Sequence, residues 1–283
     1  MTWIKICGIT NLDDALAATD AGANAIGFVF YPKSLRYITP EAAQFIAQRL
    51  PAHVQKVGVF VNHSIEEVRD AAKLIGLNAV QLHGHEDRQF AVSLFRALAN
   101  GAQANGARTN GVLASVAASA NGTTRPTIYR SFAAQIFDKP AEEPVGWDPV
   151  AVGLIEPDEA FRGKRVHKIH VAKDGDLFLE THGFRPGVIS GVLLDSSTAC
   201  KPGGTGEPFD WERVQPWAGV INSISKLIVA GGLYPGNVQD AIHVLHPWGV
   251  DVSSGVESEP GKKDARKVRA FIQAVRAMEK SKN

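Results

Sequence analysis

Several short apolar runs in this chain end on residues that could do chemistry. Cys7 closes the run Trp3-Ile4-Lys5-Ile6-Cys7. A thiol at a strand end can act as a general base once its pKa falls from about 8.5; a lone cysteine is otherwise a small buried hydrophobe. Asp195 closes the very apolar run Gly191 to Asp195. A carboxylate there is costly to bury unpaired, which points to function. Arg36 sits in the aromatic-rich stretch Tyr31-Pro32-Lys33-Ser34-Leu35-Arg36-Tyr37. Its guanidinium could clamp a carboxylate in bidentate fashion or stand solvated on the surface. Gly231-Gly232 and Ser253-Ser254-Gly255 follow two further runs. Glycines let backbone N–H groups approach an anion and serine hydroxyls add donors, so the pair of loops points to a phosphate site as well as to ordinary turns. Gly203-Gly204-Thr205-Gly206 reads as a lid or a flexible turn. His83-Gly84-His85 and His167 with His170 do not complete a metal-ligand spacing, and residues three apart on a strand face opposite sides.

These positions are useful only if a frame brings residues 7 to 255 together. Eight runs read as strands: Trp3–Cys7, Ala25–Phe30, Lys56–Val61, Ala79–His83, Val166–Val171, Gly191–Asp195, Lys226–Ala230 and Gly249–Ser253. They are rich in Val and Ile with little alternation, which suits strands buried on both faces of a parallel sheet. Helical stretches lie between them. Asn11 can cap one that Gly22 stops, Pro40 opens another, and Ser64 with Glu67 makes a capping box. Pro235 starts a helix up to His246, and a basic amphipathic helix runs from Lys262 to Lys280. The alternation predicts an α/β fold, a (β/α)8 TIM barrel, whose working face is the carboxyl end of the strands. A doubly wound sheet would want a glycine fingerprint after the first strand, and none is present.

One stretch breaks the pattern. From about Asn100 to Lys164 the chain is Gly/Asn/Ala/Ser-rich and then Pro-rich and acidic. It reads as an inserted, partly disordered segment of about 65–70 residues in a single-domain barrel over 1–283. Both Thr127–Phe132 and Val166–Val171 could be the fifth strand; the second is favoured because it leaves room for one helix before Asp195. With Glu86–Leu98 as the helix after strand four, the insertion would lie on the face away from the working loops.

Composition fits this picture. The chain has 283 residues, 45% hydrophobic and 21% charged, with a net charge of +1. That balance argues against a protein whose main task is to bind nucleic acid or an acidic membrane. Two cysteines, Cys7 and Cys200, exclude a disulfide scaffold or a four-cysteine zinc site. The charge-free run between Arg108 and Arg125 is short and polar, and the N-terminus opens on a strand rather than a secretory signal. A reducing cytoplasm is the expected location.

The motifs KICGIT (Lys5–Thr10) and AGANAIGFVFYPKSLRYI (Ala21–Ile38) resemble the phosphoribosylanthranilate isomerase family. The likeness continues through VGVFVN (Val57–Asn62), NAVQLHG (Asn78–Gly84), LLDS (Leu193–Ser196), GGTGEPFDW (Gly203–Trp211), VAGGLYPGNV (Val229–Val238) and VDVSSGVESEPGKKD (Val250–Asp264). It implies a barrel needing no metal or cofactor that acts in tryptophan biosynthesis on a small phosphorylated substrate. It also implies no nucleic-acid or membrane partner, and a monomer or homodimer. The implied reaction is an Amadori rearrangement of an aldose to a ketose. Cys7 is implied as the base, Asp195 as the acid, and Arg36 as the clamp for the anthranilate carboxylate. Asp251 is implied near the anthranilate part, and Gly231, Gly232, Ser254 and Gly255 at the phosphate. Gln81 and His83 would line the pocket. Such a division of labour requires Cys7 to be largely thiolate and Asp195 to hold its proton. The related histidine-pathway isomerase commonly pairs two aspartates, and a cysteine at position 7 argues against that reading. Intact Cys7, Asp195 and Arg36 argue against a non-catalytic phosphate-ligand binder.

Overall fold

The computed structural model describes residues 1–84, 86, 88–102, 127–133, 191–196, 208–224 and 226–280. His85, His167, His170, Cys200 and the Gly203–Gly206 loop lie outside the described residues. Eight parallel strands close into a barrel in chain order: β1 (Trp3–Cys7), β2 (Ala25–Val29), β3 (Gln55–Phe60), β4 (Ala79–Leu82), β5 (Thr127–Ala133), β6 (Gly191–Asp195), β7 (Lys226–Val229) and β8 (Gly249–Val252). Around it stand α1 (Leu12–Asp20), α2 (Pro40–Ala47), α3 (Ile65–Ile75), α4 (Arg88–Ala102), α5 (Trp211–Ile224), α6 (Val238–Leu245) and α7 (Ala265–Lys280). A 3-10 turn (Ser254–Val256) and a small antiparallel pair, β9 (Glu257–Glu259) and β10 (Lys262–Lys263), follow β8. No helix among the described residues is long and apolar enough to cross a membrane.

Three of the helix starts read from sequence are built as expected, whereas α6 begins at Val238 rather than Pro235, and α7 at Ala265 rather than Lys262, which lies in β10. Asn11 accepts from the Asp14 N–H, Thr39 caps the helix that Pro40 opens, and Ser64 and Glu67 complete a reciprocal box. Gly76 ends α3 at φ +72°, a left-handed cap that suits glycine.

Strand period sorts side chains into two cores. Ile4, Ile6, Ile26 and Phe28 point outward into the layer shared with the helices. Trp3, Ala25, Val57, Ala79, Leu193 and Ile228 point inward and fill the barrel. Trp3 stacks on Trp248 with ring centroids 5.1 Å apart, closing the end where the strands begin. The inward positions nearer the strand ends are different: Lys5, Cys7, Gln81, Asp195 and Asp251 follow the apolar plug. The floor of the barrel is therefore apolar, and its upper half is polar.

The fifth strand corrects the expectation. Thr127–Ala133 pairs in parallel with β4 on one side and β6 on the other. Its Thr, Ile, Tyr and Phe residues have the stiff or broad side chains that suit a pleated surface. Val166–Val171 lies outside the described residues. The distance argument that favoured it fails because the length of a connection is not fixed by the strands it joins. The stretch expected as insertion therefore contains a barrel strand, and residues 103–126 and 134–164 of it lie outside the described residues.

Candidate active site

Where the strands end, a cavity of about 320 Å³ opens. Cys7, Arg36, Gln81, His83, Asp195, Gly231, Gly232, Asp251 and Ser254 all line it. Residues separated by more than two hundred positions thus meet at one wall, because a closed barrel returns β8 to the side of β1. Gly255 is the exception. It packs behind the wall, where a Cβ would stand 1.8 Å from the Leu233 carbonyl oxygen.

The β1 side of the cavity is organised by Lys5. It lies two residues before Cys7, so both point inward. It is 1% exposed. Register places Lys5 opposite Asp251, and its Nζ donates to Asp251 Oδ2 at 2.7 Å and to Gln81 Oε1 at 2.7 Å. Burial opposes the ammonium, but Asp251 and Cys7 outweigh it and hold the Lys5 pKa above its ordinary value. Asp251 Oδ1 is buried and has no hydrogen-bond partner among the described residues. Cys7 itself is pushed up by burial, pulled back by Lys5 and raised again by Asp251, with Lys263 also pulling it down. The net direction is upward. That direction favours the thiol, whereas the acid–base assignment implied a thiolate.

Gln81 continues the network across the barrel. Its Nε2 lies 3.2 Å from His83 Nδ1, and His83 Nε2 lies 3.8 Å from Asp195 Oδ2. One polar line therefore runs from Asp251 through Lys5, Gln81 and His83 to Asp195, the last residue of β6. Gly231 lies against that end. At φ +74° it takes a conformation that L side chains rarely adopt, and a Cβ there would meet the Ser196 nitrogen at 2.3 Å and Asp195 Oδ1 at 2.7 Å. The loop is braced by Asn237, whose Nδ2 donates to the Gly232 carbonyl at 2.9 Å and whose Oδ1 accepts from the Tyr234 N–H at 2.8 Å.

Arg36 is not a free clamp. Its Nε and Nη2 donate to the two oxygens of Glu257 at 2.8 and 2.7 Å. Lys263 Nζ donates to Glu257 Oε1 at 2.7 Å and to the Ser253 carbonyl at 3.2 Å. Burial would raise the Glu257 carboxyl, but the hydrogen bonds and charges of Arg36 and Lys263 hold it below the usual carboxylate range. The guanidinium is fixed along one edge, and Arg36 lines the cavity.

A family model described as N-(5'phosphoribosyl)anthranilate (PRA) isomerase matches residues 4–106 and 159–274. The chain belongs to the phosphoribosylanthranilate isomerase family. A relative of that name from Thermotoga neapolitana is 36% identical over 278 residues, covering 98% of this chain and 100% of its own. The crystal structure of phosphoribosylanthranilate isomerase from Thermotoga maritima superposes with a TM-score of 0.65 at 33% identity, covering 98% of this chain and 100% of that one. A further solved structure is a complex of the isomerase with reduced 1-(o-carboxyphenylamino)-1-deoxyribulose 5-phosphate. It has a TM-score of 0.62 at 33% identity, with the same coverage. The family model passes over residues 107–158, β5 among them, and resumes at 159.

Within the phosphoribosylanthranilate isomerase frame, three charged residues stand at the site that the sequence reading left unassigned: Lys5, Glu257 and Lys263. All three are buried. The signal for Lys5 was in the sequence, since a lysine between Ile4 and Ile6 on a strand with two buried faces needs a partner. Glu257 and Lys263 carried no such signal, because they lie in a polar run after the last strand.

Proposed function

We propose that this chain isomerises N-(5-phosphoribosyl)anthranilate to 1-(2-carboxyphenylamino)-1-deoxyribulose 5-phosphate, with Cys7 as general base and Asp195 as general acid. The observation that carries the reading is the convergence of Cys7 from β1 and Asp195 from β6 on one cavity, with Arg36 and the β7 and β8 loops on its wall.

The steps follow from the chemistry of the groups. The Asp195 carboxylic acid protonates the ribose ring oxygen. The bond from that oxygen to carbon 1 breaks, and the nitrogen lone pair forms a carbon–nitrogen double bond. Cys7 thiolate then removes the proton from carbon 2, giving an enolamine. Carbon 1 takes up a proton and the hydroxyl on carbon 2 loses one, leaving the ketone. Two protons are given and two are taken, so the sequence is neutral overall. Gly231, Gly232 and Ser254, with Gly255 shaping the turn behind them, hold the phosphate through backbone N–H groups and hydroxyls. Arg36 offers its Nη1 edge to the anthranilate carboxylate. Asp251 Oδ1, the buried acceptor, takes the substrate's N–H. Gln81 and His83 support Asp195 from the β4 side.

We read the chain as one barrel over 1–283, with β5 inside the stretch around 100–164, acting in the cytoplasm as a monomer or homodimer. The experiment is fluorescence-monitored turnover of freshly made phosphoribosylanthranilate by the wild type, Cys7→Ala and Asp195→Asn. Each variant should lose about 100- to 10,000-fold in kcat while keeping its circular dichroism and its binding of a product analogue. A folded but inactive wild type, or a Cys7→Ala variant within a few-fold of wild type, would overturn the assignment.

A further inference from the structure

We propose that Lys5 is the positioning residue of the base: its ammonium, fixed by Asp251 and Gln81, directs its third N–H at Cys7 Sγ and so holds the thiolate when it forms. This rests on the reading of Cys7 as the base. An ammonium has three donors, and two of those on Lys5 are committed at 2.7 Å, to Asp251 and to Gln81. The space between Lys5 and Cys7 is shared. Gly27 is the register partner of Cys7, and a Cβ on it would stand 2.7 Å from Cys7 Sγ and 2.8 Å from Lys5 Cε. The missing side chain on β2 is what lets the lysine stem and the sulfur lie side by side.

A merely structural role does not account for this arrangement. Taking an ammonium out of water is costly, and an apolar residue of similar volume often serves stability as well or better. The other cations near Cys7 are committed elsewhere. Lys263 donates to Glu257 and Ser253, and the Arg36 fork is closed on Glu257. His83 and Asp195 face the same cavity from β4 and β6. Lys5 is thus the cation on the same strand and the same face as the thiol. Its charge pulls the Cys7 thiol down, against burial and against Asp251.

The test reads the thiol without substrate. Cys7 alkylation by iodoacetamide is followed across pH in the full chain by peptide mass, which counts Cys200 separately. In Lys5→Met the midpoint should rise by about one unit or more. In Asp251→Asn it should fall, because Asp251 no longer shares Lys5 or repels the thiolate. A structural role predicts no such opposition. Lys5→Met strands a buried carboxylate, so the double variant Lys5→Met/Asp251→Asn serves as the fold-safe check. Its midpoint should lie above that of Asp251→Asn, and the rising limb of kcat/KM against pH should move in the same order. Unmoved midpoints in folded Lys5→Met and double variants, with Cys7→Ala inactive, overturn the role of Lys5 and leave the base in place. Opposed shifts with Cys7→Ala still active overturn the base and keep the pairing of Lys5 with Cys7.

Discussion

A single methyl group at Gly231 should separate the stability of this barrel from its chemistry. In Gly231→Ala two effects combine. The first is conformational: φ +74° costs an L-residue about 1–2 kcal/mol. The second is steric. The added Cβ would lie 2.3 Å from the Ser196 nitrogen, 2.5 Å from Ser196 Oγ and 2.7 Å from Asp195 Oδ1. Ordinary contact between heavy atoms lies near 3.5–4.0 Å, so the end of β6 must retreat by about 1 Å. The nearest atom belongs to the backbone, so no rotamer change relieves the clash. A displacement of about 1 Å in a reacting group lowers turnover by about 100-fold. Gly76→Ala is the matched control. Gly76 has φ +72° and its Cβ would meet nothing within 4 Å. It should lose only the conformational part, a fall in Tm of about 2–4 °C per kcal/mol, with kcat unchanged. Thermal unfolding and fluorescence-monitored kinetics on both variants decide the matter. If Gly231→Ala keeps kcat/KM within about three-fold of Gly76→Ala, the argument that the loop after β7 fixes Asp195 is wrong.

Two further outcomes follow from the charges and the connections. Glu257→Gln leaves Arg36 and Lys263 facing one neutral group; breaking a buried pair costs about 3–5 kcal/mol, and the partial exposure of Arg36 reduces this to about 2–4 kcal/mol by urea unfolding. Because the Glu257 pKa is depressed below 4.5, the stability it confers is present above that value and is lost as pH falls through the folded pKa, so the variant should lose less stability between neutral and acid pH. A loss under about 1 kcal/mol at neutral pH would refute the role of Glu257 as a keystone. Removing residues 107–124, which stand between α4 and β5 in the sequence and which the family model passes over, should leave kcat/KM within about three-fold, since β5 begins at the end of the barrel away from the cavity. A ten-fold loss in a folded variant would show that the segment reaches the site.

The frame was legible because its signals are local. The capping residues Asn11, Ser64 and Glu67 act within four positions of themselves, and each buried parallel strand announces itself as a short apolar run. The fifth strand was the exception for the same reason. Thr127–Ala133 is no less strand-like than its rivals, but its place is decided by pairing with Ala79–Leu82 and Gly191–Asp195, and spacing along the chain carries no information about that pairing.

At the site the same division holds. That Cys7, Asp195 and the two glycine loops meet at one cavity was legible because strand ends are recognisable and a barrel's strand ends share one face. Partnership was not legible. Arg36 looked like an open clamp, yet its fork is closed by Glu257, 221 positions away. Lys5 looked like a strand residue, yet its meaning depends on Asp251, 246 positions away. For Lys5 a burial cost visible in the sequence demanded a counter-charge, for Arg36 none was visible, and in both cases only closure of β8 against β1 determined which carboxylate answered. That closure also gives the two proposed groups different surroundings: Cys7 shares its wall with Lys5, Asp251, Lys263 and Arg36, while Asp195 is reached through the neutral amide of Gln81 and the ring of His83. The two groups can therefore be tuned separately, as a reaction needing a proton donor and a proton acceptor at one pH requires.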